Sequence, residues 1–293
     1  MAPPKTVTLN DGHVVPWLGF GTGTALYKAD AEELVRLAIE TGITHLDGAQ
    51  VYENEESLGA GIKASGKPRS ELFVTTKLRP ASEGQVINVK ALLKESLTKL
   101  GLDYVDLFLI HSPSPANKEG KLQDLWKQLE EVKAEGLAKS IGVSNFRVED
   151  LQTVLETAKV IPAVNQIELH PYVWKAAQPI VDLGKKHGIL TASYGGQTPV
   201  ARVPGGPIDP VLSTVRERLE KTRGAPVSAG QVLSKWILQK GAIVITTTSK
   251  QSRIEEFLDT EKVPDLTEEE IQSIDEAGSK LHKRIFMRAV FGE

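Results

Sequence analysis

Short apolar runs alternate with longer helix-period segments eight times along this chain. That alternation constrains the fold more than any other feature, because like strands separated by helices pair naturally as a parallel sheet. Strands are expected over 18–22, then in a run ending at Asp47, then over 72–77, 104–110, 138–143, 163–168, 189–194 and 242–246. Helical spacing is expected over 30–41, 53–64, 85–100, 121–135, 147–158 and 175–187. After a Gly/Pro loop at 195–209, helices near 210–222 and 228–239 precede the last strand, and a short one near 251–258 follows it. Eight such units make a (β/α)8 barrel of the TIM type, and 293 residues is a usual length for one as a single domain, 1–293. Residues 6–16 alternate around Asn10-Asp11-Gly12, a hairpin signal expected to close the barrel bottom. A further helix over 264–277 is capped by Thr267, and 278–293 form a tail carrying Phe286 and Phe291.

Composition removes several classes of function. There are no cysteines, which excludes disulfides, thiol nucleophiles and cysteine-held metals. Thirty-five basic against 38 acidic residues give a formal charge of −3, so neither nucleic acid nor an anionic membrane is an expected partner, and no obligatory protein partner is evident. No apolar run is long enough to span a bilayer and no secretory signal is visible, so the cytoplasm is the expected location.

In barrels of this type, chemistry gathers at the C-terminal ends of the strands. In order, those ends carry Asp47, Lys77, His111, Ser144 with Asn145, Gln166, Tyr194 and Thr246 to Ser249, with Tyr52 in the loop beyond Asp47. Any one of these has a bland reading, since a lone lysine is usually solvated and a lone histidine usually structural. Seven consecutive strand ends that each deliver a polar or aromatic group are harder to explain separately. The remaining histidines (His13, His45, His170, His187 and His282) are read as structural, and no metal site is expected because no His-x-His or His-Glu-x-x-His spacing occurs. The glycines of Leu18-Gly-Phe-Gly-Thr-Gly-Thr24 fail the dinucleotide fingerprint at Thr24. Gly142-Val-Ser-Asn-Phe146 fails the nucleophile elbow at Phe146.

The set Asp47, Tyr52, Lys77 and His111, followed by Gly142-Val-Ser-Asn-Phe146 and Asn165-Gln166, resembles the aldo-keto reductases in order and spacing over nearly the whole chain. The resemblance implies reduction of a small-molecule carbonyl by NADPH. Tyr52 would be the proton donor, with Lys77 and Asp47 tuning it and His111 positioning the carbonyl. A nearby ammonium would be expected to lower the phenol pKa from about 10 by about 1–3 units. Ser144, Asn145 and Gln166 would hold the nicotinamide carboxamide and Tyr194 would stack on its ring.

The family's cofactor loop after the last strand matches Thr247, Thr248, Ser249, Lys250, Arg253 and Glu256. Thr247 stands where the family usually has the phosphate lysine, so Lys250 and Arg253 are expected to meet the 2′-phosphate. Gly48, Gly195-Gly196 and Phe257 are further departures, the glycine pair being expected to loosen its loop. Gly23 lies where many members have a pocket tryptophan, and with Phe286 and Phe291 it is assigned to the substrate pocket. Gly23 and the Thr-Thr-Thr-Ser-Lys loop resemble the fungal branch of conjugated polyketone and α-keto amide reductases. With no arginine evident at a strand end in the mouth, neutral activated ketones are the expected substrates, and an aldehyde or sugar the alternative. A regulatory barrel, like the potassium-channel β subunits, would leave the intact tetrad without a use. A Schiff-base aldolase built on Lys77 would leave Tyr52, His111 and the last loop unexplained.

Overall fold

The computed structural model describes residues 5–82 and 84–293. Its first two strands, β1 (Thr6–Thr8) and β2 (Val14–Pro16), pair antiparallel as the expected hairpin. Eight parallel strands follow: β3 (Leu18–Gly21), β4 (His45–Asp47), β5 (Phe73–Leu78), β6 (Val105–Ile110), β7 (Ala138–Ser144), β8 (Val164–Glu168), β9 (Leu190–Tyr194) and β10 (Ala242–Thr246). They close in sequence order, with β10 pairing back onto β3, so the fold is a (β/α)8 barrel. β6 reads Val-Asp-Leu-Phe-Leu-Ile and is buried throughout, as a parallel strand covered on both faces requires.

The hairpin sits under the barrel. Asn10 donates to the Pro162 carbonyl at 2.9 Å, just before β8 begins, and Lys133 bridges Asp11 at 2.8 Å. This leaves the opposite rim, where the strands end, open for a site.

Local chemistry shifted several element boundaries. The helix expected from residue 85 begins at Val89, because the Asn88 side chain accepts from the Ala91 N–H and fixes the start there. Tyr52 lies in a 3-10 turn, Gln50–Tyr52, instead of open loop. The 195–209 loop contains one helical turn, Thr198–Ala201, and the tail another, Arg288–Phe291. The helix capped by Thr267 runs Glu268–Gly278 with a reciprocal capping box to Glu270.

Candidate active site

A cavity of about 690 Å3 opens at the strand ends and is lined by Asp47, Tyr52, His111, Ser144, Asn145, Gln166, Tyr194 and Thr247. Lys77 lies beneath it, fully buried. All three of its N–H groups are used: Nζ donates to Asp47 Oδ1 at 2.5 Å, to the Gly48 carbonyl at 2.9 Å and to Tyr52 Oη at 3.4 Å. Asp47 spends its other oxygen on Gln166 Nε2 at 2.8 Å. A buried ammonium beside a carboxylate is tolerable only when both are fully partnered, and here they are. The Tyr52 ring stands edge-on to His111, with centroids 5.5 Å apart.

Burial pulls the Lys77 ammonium down, but Asp47 and Tyr52 outweigh it, and the net shift is upward. Lysine therefore stays charged. Burial raises the Tyr52 phenol above its ordinary value, and Lys77 only partly opposes this. The expectation of a net lowered phenol is corrected: the ammonium acts in the expected sense, but removal from water is the larger effect. Burial, with Lys77 adding to it, drops His111 to about 3, so its imidazole is neutral at physiological pH. Its Nδ1 is buried without a hydrogen-bond partner among the described residues.

The neighbouring polar groups hold one another in place. Ser144 Oγ donates to the Gln166 carbonyl at 2.7 Å, and Asn145 Nδ2 donates to the His111 carbonyl at 2.9 Å. Tyr194 Oη donates to Asn145 Oδ1 at 2.6 Å, which fixes the ring on the cavity wall. Asn145 adopts φ +63°, a left-handed backbone that aspargine tolerates better than most residues and that turns its side chain under Tyr194.

The other assigned residues divide. Thr247 lines the cavity, and its buried Oγ1 has no hydrogen-bond partner among the described residues. Thr248, Ser249, Lys250, Arg253 and Glu256 lie beyond the cavity lining. Lys250 and Arg253 are exposed at the start of the helix Gln251–Asp259 and make no ion pair among the described residues. Glu256 Oε1 accepts from Ser228 Oγ at 2.5 Å, and Phe257 is buried in the core. A buried hydroxyl in the wall, a tyrosine face and two free cations at a helix start fit a phosphorylated dinucleotide.

Three expectations about the mouth are corrected. Phe286 lines the cavity, but Phe291 does not; the last helical turn carries it away to pack under the Arg284 guanidinium, 3.9 Å from its ring centroid. An arginine is present after all, since Arg202 lines the cavity eight residues past Tyr194 and lies 5.3 Å over the Phe286 ring. The glycine pair is tightly placed, not loose: Gly195 has φ +68°, and a Cβ on Gly196 would come within 2.4 Å of Ile237 Cδ1. Tyr27, Val51 and Met287 also line the cavity and were not foreseen, because they sit in loops or, for Val51, in the single 3-10 turn, where no periodicity marks a face. Trp174 packs edge-on against Trp236 and lies outside the lining.

A parallel barrel with this rim defines an oxidoreductase class, and the family comparison agrees. Residues 17–199 match the aldo/keto reductase family, so the chain belongs to it. It is similar to the NAD/NADP-dependent indole-3-acetaldehyde reductase of Schizosaccharomyces pombe, 39% identical over 94% of this chain and 96% of that protein. It is also similar to the NADPH-dependent alpha-keto amide reductase of Saccharomyces cerevisiae, 33% identical over 98% and 95% of the two chains. Among solved structures, an aldo/keto reductase from Brucella melitensis superposes with a TM-score of 0.80 at 34% identity, covering 94% of this chain and 99% of that one.

Proposed function

We propose that the chain reduces a small-molecule carbonyl with NADPH, and that Tyr52 gives the proton. The observation that carries this reading is the Lys77 ammonium, which contacts both Asp47 and the Tyr52 hydroxyl at the cavity floor. When bound, NADPH supplies the hydride. The protein's own groups do the rest. Tyr52 Oη donates its proton to the substrate oxygen, and Lys77 stabilises the phenolate left behind, an electrostatic role strengthened by the dry surroundings. Neutral His111 holds the substrate oxygen by donating from Nε2, which its partnerless Nδ1 leaves as the protonated nitrogen. Ser144, Asn145 and Gln166 are assigned to the carboxamide and Tyr194 to the ring, with Thr247, Thr248, Ser249, Lys250, Arg253 and Glu256 along the adenosine phosphate end.

The substrate class we favour is a ketone activated by an adjacent carbonyl. Val51, Ala25, Phe286 and Met287 give the lining an apolar share that suits a bulky, poorly hydroxylated molecule, and Arg202 offers donors to a second acceptor oxygen. The yeast relative named for alpha-keto amides is in keeping with this, while the indole-3-acetaldehyde reductase supports an apolar aldehyde as the second reading.

Tyr52→Phe tests the proton donor. It removes one hydroxyl from a ring whose position is otherwise fixed. Turnover should fall by at least ~10²-fold, the low end for general acid catalysis, with the NADPH dissociation constant nearly unchanged. A variant retaining more than a tenth of wild-type kcat, roughly 1.4 kcal/mol of barrier, would rule out this assignment.

A further inference from the structure

Glu168 ends β8, two residues past Gln166, and none of its side chain reaches solvent. No lysine or arginine pairs with it among the described residues; its one ionisable partner is His170 Nε2 at 3.0 Å. A buried carboxylate without a cation must be satisfied by hydrogen bonds. Those bonds come from the backbone of the tail. Ile285 N–H donates at 2.9 Å to Oε1 and 3.2 Å to Oε2, and Phe286 N–H donates at 2.9 Å to Oε2. Just beyond, Met287 takes a left-handed backbone, φ +52°, and both Phe286 and Met287 face the cavity. The Phe286 ring stands edge-on to Tyr194, with centroids 5.7 Å apart. Among the described residues, the tail before this point makes one backbone–backbone hydrogen bond to the barrel's loops, Lys283 N–H to the Tyr172 carbonyl at 3.2 Å.

We propose that Glu168 is a positioning residue: its carboxylate latches the tail backbone at residues 285 and 286, and so sets the Phe286–Met287 wall of the substrate mouth. The inference rests on the reading of this cavity as the carbonyl site. The latch joins two parts of the reaction that the chain keeps far apart. It grows from the strand that also carries Gln166, and it holds a segment 117 residues further on against the aromatic ring at the end of β9. Charge-assisted bonds to two successive amides are directional, so they fix where the wall stands as well as whether it is attached. His170, whose pKa burial lowers, supplies the third donor through Nε2 without bringing a competing cation.

Glu168→Gln keeps the shape but turns one acceptor into a donor facing a backbone N–H. Hydrogen–deuterium exchange on the intact protein should find the Ile285 and Phe286 amides protected in the wild type. In the variant their exchange should rise by at least ~10-fold, with the barrel strands unchanged. In steady state, KM for a bulky α-keto ester should rise about tenfold with kcat within about twofold, while a short aldehyde keeps its KM. Phe286→Ala, which keeps the latch but removes the wall, should reproduce the fall in the bulky-to-short kcat/KM ratio without faster exchange at Ile285. Unprotected Ile285 and Phe286 amides in the wild type would overturn the latch. So would equal kinetic losses for both substrates, or a Phe286→Ala protein with an unaltered ratio. The exchange arm needs no turnover, so its result is separable from a failure of the reductase reading.

Discussion

Replacing Gly23 with alanine tests how tightly the proposed proton donor is held. Gly23 follows β3 and, from the sequence, its role is to widen the pocket by lacking a side chain. In the structure it also touches the phenol. A Cβ built there would lie 2.9 Å from Tyr52 Cζ, 3.1 Å from Cε2 and 3.2 Å from the hydroxyl. Ordinary carbon contacts begin near ~3.5 Å, so the ring must withdraw by roughly 0.5–1 Å. The ring cannot withdraw freely, because the turn bearing it is tied back to the Gly23 loop. Asn54 Nδ2 donates to the carbonyls of Thr22 at 2.9 Å and Leu26 at 2.7 Å, and Lys28 N–H donates to the Tyr52 carbonyl at 2.9 Å. The Lys77–Tyr52 contact, already 3.4 Å, is the part with slack. A displacement of about 1 Å at a reacting group can cost on the order of 10²-fold, or about 2.7 kcal/mol of barrier. Gly23 does not occupy the left-handed region, so alanine brings no backbone strain of its own and the fold should survive. The assay is kcat from NADPH consumption, with cofactor affinity by fluorescence titration and the melting temperature as controls. We expect kcat down by about 30- to 100-fold, with NADPH affinity and Tm little changed. A kcat within twofold of wild type, with Tm also unchanged, would refute the idea that Gly23 sets the position of the phenol.

Three further outcomes follow from the same geometry. Arg253→Ala should weaken NADPH by on the order of 1.5–3 kcal/mol and NADH far less; equal losses in a binding titration would remove Arg253 from the 2′-phosphate. His111 and His45 have folded pKa values lowered to about 3 and about 4 against 6.5 unfolded, so the unfolded chain binds more protons below that point. Their stabilisation is complete above pH 6.5 and is lost as pH falls, by about 2 kcal/mol each by pH 5; chemical denaturation at pH 7.5 and 5 should show this loss, and a flat profile would contradict it. An α-keto lactone or ester should have the higher kcat/KM when compared with xylose under one set of conditions, and preference for the sugar would refute the substrate class while leaving the reductase chemistry intact.

The sequence by itself determined the barrel and the rim, because both are written in local chemistry. Apolar runs, helix spacing and caps such as Thr267 act over a few residues, and the register of each strand decides which residue stands at its end. Asp47, His111, Ser144 and Gln166 could thus be assigned to one opening, and that is where the structure brings them. Only the tertiary structure decided what depends on distant segments meeting. Arg202 and Met287 enter the cavity from stretches with no periodic signal, and Phe286 is chosen over Phe291 because Glu168, 118 residues away from it, holds its backbone amide. The sign of the Tyr52 shift belongs to the same category. Its neighbours could be named from the motif, but how much water the folded barrel removes from the phenol is a property of the packing of all eight strands and their loops, and that removal outweighs the lysine.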